Sequence, residues 1–366
     1  MLSSKGFVHG GNIYEISRQF AIREEDIVDF SANINPLGIS ALAKANIVEG
    51  LSSFSVKYPD PDYLELKRAI SGYLNVPSDD IIVGNGATEL IYLFFRSLKP
   101  SSVLIPIPTF SEYERAAKLA GCKTRYFLLK ERDDFRLSSN KLIRNLEGVE
   151  AVVLCNPNNP TGNLLPKHIV KEIACFCRDR NILMLIDETF IEFVDDVSSA
   201  MAIDILDEFK NIIVVRAFTK FFGMPGMRLG YGITKSVKIK EAIRSFKEPW
   251  SVNGLAAAAG AAALKDEEYI KKSKSMISIE RKYLLEELSK FSWLKPFSTC
   301  ANFILVKILD KEISSSALRQ KLIPFGVLIR DASNFLGLNN SFFRVAVRDR
   351  EDNDKLILAL KKCRGA

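Results

Sequence analysis

Lys220 lies in the segment Ala217-Phe218-Thr219-Lys220-Phe221-Phe222-Gly223-Met224-Pro225-Gly226-Met227-Arg228, between an apolar run and a glycine-rich turn. With the Thr219 hydroxyl beside it, such a lysine is well placed to form an imine with an aldehyde. Arg228 follows eight positions later and can supply a fixed positive charge. An imine-forming lysine, a hydroxyl and an arginine together suit pyridoxal phosphate, which carries an aldehyde and a dianion. A lone lysine in a loop is ordinarily a solvated surface charge. That reading fails here because other parts of such a site occur elsewhere in the chain.

Four further segments supply those parts. Gly84-Asn85-Gly86-Ala87-Thr88-Glu89 follows an apolar run and opens a helical pattern. Its glycines let the backbone approach an anion, and the helix start offers free N–H groups to a phosphate at Ala87 and Thr88. Asn156-Pro157-Asn158-Asn159-Pro160-Thr161-Gly162 is a stiff turn after the run Ala-Val-Val-Leu-Cys. It puts the Asn159 amide where it could meet a pyridine ring hydroxyl, although a tight connection alone could explain it. Asp187, after Ile-Leu-Met-Leu-Ile, could pair with the pyridine nitrogen and keep it protonated. A helix cap is the plainer role for that aspartate. Phe110 also follows a strand pattern and could stack on the ring, or simply pack in a core.

The elements that carry these residues read as an α/β chain. Ile81–Val83, Val103–Ile105, Ala151–Leu154, Ile182–Ile186 and Ile212–Val215 are apolar runs without polar alternation, as in a parallel sheet covered on both faces. Helical patterns lie between them at Glu89–Leu98, Ser111–Ala120 and Pro166–Arg180. The alternation implies a wound α/β unit with right-handed crossovers. The C-terminal third predicts a long helical stretch from about Leu255 to Lys290, beginning with a short alanine-built helix over Gly254–Leu264, strands at Ala301–Ile308, Val327–Arg330 and Phe342–Val347, and helices near Ile313–Leu322 and Asp352–Lys362. The expected organisation is an arm over 1–40, a large domain over 41–264 and a small α+β domain over 265–366.

Composition narrows the function classes. The 366 residues are 47% hydrophobic and 26% charged, ordinary for a globular protein. A net charge of +7 with no dense Lys/Arg block does not imply nucleic acid. The six cysteines show no zinc spacing and are expected to be reduced. No apolar signal core or transmembrane run is evident, so a cytoplasmic location is expected.

Taken together, these segments resemble the fold-type-I pyridoxal-phosphate enzymes of the aspartate aminotransferase superfamily over nearly the whole chain. Within it, the chain is similar to threonine-phosphate decarboxylases of cobalamin biosynthesis and to histidinol-phosphate aminotransferases. His9-Gly10-Gly11-Asn12, Asp29-Phe30-Ser31-Ala32-Asn33-Ile34-Asn35-Pro36-Leu37-Gly38, Pro249-Trp250-Ser251-Val252-Asn253, Leu328–Phe335 and Phe342–Arg348 resemble the decarboxylase branch. The resemblance implies that His9, Gly10, Asn33, Arg330 and Arg344 hold the phosphate and carboxylate of a small phosphorylated amino acid. It implies a homodimer in which Tyr58 reaches the cofactor phosphate of the neighbouring subunit. Catalytic roles fall to Lys220 and Asp187, and no metal is expected. Two positions depart from the superfamily pattern: Phe190 replaces a common tyrosine, and Ala217 a common hydroxyl residue. The implied reaction is decarboxylation of O-phospho-L-threonine. Transamination of histidinol phosphate with 2-oxoglutarate is the alternative, because orientation of the substrate selects which bond breaks. A non-catalytic cofactor-binding regulator is a third reading, opposed by the intact set of chemical residues.

Overall fold

Runs of Ile, Val and Leu become the inner strands of one sheet in the computed structural model of the chain, which describes residues 10–364. In chain order the strands are β1 (Val28–Asp29), β2 (Ile81–Gly84), β3 (Ser102–Ile107), β4 (Lys123–Leu128), β5 (Ala151–Cys155), β6 (Leu183–Asp187), β7 (Ile212–Ala217) and β8 (Gly230–Ile233). They continue as β9 (Leu294–Pro296), β10 (Phe303–Ile308), β11 (Val327–Leu328), β12 (Arg330–Asp331) and β13 (Phe342–Ala346). The main sheet has the order β2-β8-β7-β6-β5-β3-β4. Within it β8 alone runs against the other strands. Every residue of β5 and β7 is buried, which is why these runs carry no polar alternation.

The five expected strands of this sheet correspond to β2, β3, β5, β6 and β7. Two more strands escaped the apolar pattern. Lys-Thr-Arg-Tyr-Phe-Leu of β4 forms the sheet edge, where polar residues protect an unpaired ladder. Gly-Tyr-Gly-Ile of β8 contains two glycines, which strands usually avoid. The winding direction reverses between β3 and β5, since β4 lies on the far side of β3. A crevice at the C-terminal strand ends is the expected ligand position at such a switch point.

In the C-terminal third one expectation holds and one is corrected. The helical stretch from about Leu255 to Lys290 consists of two helices, the short alanine-built one at Gly254–Ala263, as expected, and Glu267–Ser289. Asp266 separates them: its carboxylate accepts from the Tyr269 amide at 3.1 Å, capping the second helix. A short acidic side chain that competes for backbone donors favours such a break. The expected strand Val327–Arg330 is also divided. Its first half, β11, pairs in parallel with β1, whereas β12 pairs antiparallel with β13 in the sheet β12-β13-β10-β9. That division turns Arg330 toward β13. Leu154, Ile186 and Phe218 at the main sheet share one apolar cluster with Leu284, Phe303 and Leu356, so the sheets have a continuous core between them. Among the described residues no helix is long and apolar enough to cross a membrane.

Candidate active site

A cavity of about 470 Å³ opens at the C-terminal ends of β3, β5 and β6. This is ample room for a small ligand. One end is an anion cradle. Gly84 ends β2 opposite Gly230 of β8, and Gly86 (φ 74°) opens the helix Gly86–Leu98. The first amides of a helix have no intrahelical acceptor, and the N-cap residue Asn85 does not cap them with its side chain; Glu89 Oε2 accepts from the Asn85 amide at 2.6 Å, outside that set. A Cβ at Gly230 would overlap the Ala87 amide nitrogen, so glycine permits the helix start to sit against β8. Arg228 holds its guanidinium across the same helix end, 2.8 Å from where a Cβ on Gly86 would be. Among the described residues it donates only to the Pro225 carbonyl, at 3.3 Å. Ala87, Thr88, Thr219 and Arg228 all line the cavity here. A positive helix end beside a guanidinium without a carboxylate partner is a site for an anion.

Lys220 follows β7 on the cavity floor. Its loop is braced from the N-terminal segment: the Asn35 amide donates to the Lys220 carbonyl at 3.0 Å. The Asn35 side chain donates to the Phe221 carbonyl and the Ser273 hydroxyl, each at 2.8 Å. Burial lowers the Lys220 pKa from the ordinary 10.5 to about 8, and the charges of Arg344 and Arg228 add to the effect. The nucleophilic free base is therefore far more populated near neutral pH than for an ordinary lysine, although the protonated amine still predominates there.

Asp187 ends β6 with its carboxylate buried and facing the cavity. Oδ1 accepts from the Thr189 amide at 2.8 Å and Oδ2 from the Tyr113 hydroxyl at 2.7 Å. Burial raises its pKa, while hydrogen bonds from Thr189 and Tyr113 and the charge of Lys220 lower it. The next residue, Glu188, has a different task. It pairs with buried Arg216 at 2.7 Å and accepts from the Ala202 amide at 2.6 Å, anchoring the ends of β6 and β7.

The opposite side of the cavity carries two arginines. Arg330 and Arg344 stand directly opposite each other in the β12–β13 pair, and both are buried. Like charges directly opposite in an antiparallel pair destabilise it unless an anion intervenes. Burial lowers Arg344 to about 9, with Arg330 contributing, and lowers Arg330 to about 10. Both are therefore cations at neutral pH. Arg344 donates to Asn159 Oδ1 and, at 2.9 Å, to the Ser31 carbonyl; its Nε has no partner among the described residues. Arg330 donates to Asn334 Oδ1 at 2.7 Å and lies over the Phe335 ring. Asn33 is buried at the same wall, with its Oδ1 unpartnered among the described residues. Gly10 passes so close to the Ser31 carbonyl that a Cβ would overlap it.

The remaining expected positions divide clearly. Phe110 is half-buried in the cavity, edge-on to Tyr113 with centroids 5.6 Å apart. Phe190 and Ala217 also line it, and neither brings a hydroxyl. Tyr58 is outside the cavity of the single chain, 81% exposed, with its ring 4.7 Å from that of Trp250. His9 lies outside the described residues. Several contributors were not identified from the sequence: Tyr113, Thr189, Ser31, Asn35 and Asn334. Tyr113 follows Phe110 by three positions, a spacing that can place two aromatics together. Ser31 and Asn35 fall within the segment read as a motif, but their neighbours were singled out instead.

The donor set suits a phosphorylated aromatic aldehyde. It combines unpartnered helix amides and Arg228, an amine with a lowered pKa, a buried carboxylate and a flanking aromatic ring. The family model for class I and II aminotransferases matches residues 25–360. A provisionally named threonine-phosphate decarboxylase of Caldanaerobacter subterraneus subsp. tengcongensis is 43% identical over 357 residues, 98% of this chain and 94% of that protein. The threonine-phosphate decarboxylase of Salmonella typhimurium is 35% identical, covering 96% of this chain and 95% of its own. The crystal structure of the histidinol-phosphate aminotransferase from Clostridium acetobutylicum superposes with a TM-score of 0.85 at 37% identity, covering 91% of this chain and 98% of that one.

Proposed function

The chain belongs to the class I and II aminotransferases, fold-type-I enzymes whose cofactor is pyridoxal 5'-phosphate, and from that premise we propose that it decarboxylates O-phospho-L-threonine. The product would be (R)-1-amino-2-propanol O-2-phosphate, in cobalamin biosynthesis. The observation that carries this reading is the 43% and 35% identity, over nearly the whole chain, to proteins named for this reaction. The buried Arg330–Arg344 pair set across β12 and β13 suits a twice-anionic substrate. O-phospho-L-threonine is one, and the 2-oxoglutarate of a transaminase is another, so the pair fits the reading without selecting it. Planar guanidinium forks suit both phosphate and carboxylate.

When bound, the cofactor supplies an aldehyde for the substrate amine and a ring that draws electrons from the α-carbon. The amides of Ala87 and Thr88, the Thr219 hydroxyl and Arg228 would hold its phosphate, joined by Tyr58 from a second copy in a homodimer. Phe110 would flank its ring, and the Asn159 amide would donate to the ring oxygen. Asp187 would hold the proton at the ring nitrogen. Lys220 Nζ would bind the aldehyde in the absence of substrate. Arg330 and Arg344, with Gly10 and Asn33, would fix the substrate's two anions, and this orientation selects the bond to the carboxylate. That bond breaks, carbon dioxide leaves, and Lys220 returns a proton to the α-carbon.

Transamination of histidinol phosphate with 2-oxoglutarate is the second reading, favoured by the likeness to the Clostridium enzyme. The cofactor-loaded protein incubated with O-phospho-L-threonine separates the two. Release of carbon dioxide and the amino-alcohol phosphate, with no need for 2-oxoglutarate, is the expected result. Glutamate formed from histidinol phosphate without carbon dioxide would replace the proposal by the second reading. Arg344→Ala is expected to raise KM for O-phospho-L-threonine by about 100-fold, the loss typical of a buried charged contact. Cofactor affinity, measured by equilibrium dialysis, should change little. A larger loss of cofactor than of substrate would move Arg344 to the cofactor's side of the site.

A further inference from the structure

We propose that Tyr113 is a positioning residue whose hydroxyl holds the Asp187 carboxylate as an anion aimed into the cavity, and so keeps the shared proton on the cofactor's ring nitrogen. A carboxylate removed from water favours its neutral form unless donors compensate. Asp187 is 4% exposed and Tyr113 is 1% exposed, so water does little for either. Compensation comes from within the fold, from Thr189 and Tyr113. The Thr189 amide is 2.8 Å from Oδ1, and the Tyr113 hydroxyl is 2.7 Å from Oδ2. The Thr189 side chain adds a further hydrogen bond. A carboxylate has about four lone-pair directions, so one remains for a ligand.

The geometry leaves Tyr113 little freedom to do anything else. Its backbone amide donates to the Phe110 carbonyl at 3.4 Å, and its ring packs edge-on to Phe110. Burial, then the Asp187 charge, push the phenol well above its ordinary pKa, so it remains a donor across the working range. The other titratable groups facing Asp187 are Lys220 and Cys155. Burial pushes the Cys155 thiol up to about 12, and it is 3.3 Å from the Pro157 carbonyl as a donor. Neither takes the place of a phenolic hydroxyl on Oδ2. A donor on the carboxylate lowers its proton affinity. Without that donor, the proton between aspartate and ring nitrogen shifts toward the aspartate, and the ring becomes a weaker electron sink.

This inference rests on Asp187 facing the ring nitrogen, but not on which reaction the protein catalyses. The test is 15N NMR of the protein loaded with pyridine-15N-labelled pyridoxal phosphate, without substrate. Tyr113→Phe keeps the ring and removes only the hydroxyl; the 15N signal is expected to move toward the unprotonated position. The cofactor dissociation constant should rise about tenfold, as for one lost hydrogen bond to a charge. A fluorinated tyrosine at position 113 is a stronger donor and should move the signal the opposite way. Opposed shifts are not expected of a residue that merely fills space. An unchanged signal in both proteins, while Asp187→Asn does shift it, overturns the role of Tyr113 alone. An unchanged signal in Asp187→Asn removes Asp187 from the ring nitrogen and this inference with it. If Tyr113→Phe does not fold, the fluorinated protein alone decides the outcome.

Discussion

Lys220→Ala is expected to lower turnover by at least about four orders of magnitude, the upper range for loss of a positioned proton-transfer group. It should also abolish covalent labelling of the chain when the cofactor-loaded protein is reduced with borohydride. The structure gives the physical reason. Lys220 lines the same cavity as the phosphate cradle and Asp187, and burial brings its pKa down to about 8. Capture of pyridoxal phosphate by the apoprotein should therefore accelerate as pH rises to about 8 and level off above it, since the free base is the nucleophile. The linked effect on stability has a definite sign. The folded pKa lies below the unfolded one, so between about 8 and 10.5 the unfolded chain binds the extra proton. Apoprotein stability from this group should rise with pH across that window, and Lys220→Ala should remove that rise. Retained turnover or retained labelling in Lys220→Ala would remove this lysine from the chemistry.

Asp187→Asn is the second large effect. The substitution keeps the shape and discards the charge. Turnover is expected to fall by about 10²–10³-fold, the cost of losing one aimed electrostatic contact in a water-poor site. KM should change less than kcat, because the carboxylate faces the cofactor rather than the arginine wall. The surrounding donors make the change sharper. The Tyr113 hydroxyl and the Thr189 amide both point at oxygens of this side chain, and an amide nitrogen placed at either position would meet a donor. Steady-state kinetics together with the visible spectrum of the bound cofactor give the readout. An unaltered rate would mean that the ring nitrogen has another partner.

Most inner strands were legible because burial on both faces leaves an unbroken apolar run, as in β5 and β7. β4 and β8 were not, since an edge position admits polar residues and a close backbone approach demands glycine. The flanking patterns at Asp266 are both helical, and one capping carboxylate fixes where the second helix begins. Among the candidate site residues, those ending inner strands or opening the helix after β2 line the cavity as a group. The likeness to a family suggested Arg330 and Arg344, but the residues around them carried no local sign of being neighbours.

By itself, the amino-acid order determined the chemical inventory: a lysine beside a hydroxyl, a carboxylate at a strand end, and glycines at a helix start. These are local signals, because residue type and the few positions around it decide whether a backbone can approach an anion or a side chain can end a strand. Tertiary structure decided the pairings. Tyr113 meets Asp187 across 74 positions, Arg344 reaches Asn159 across 185, and Asn35 braces the Lys220 loop from the N-terminal segment. Such contacts follow from strand register and the packing of a shared core, which no short window contains. A one-residue slip between β12 and β13 would turn one arginine away from the other.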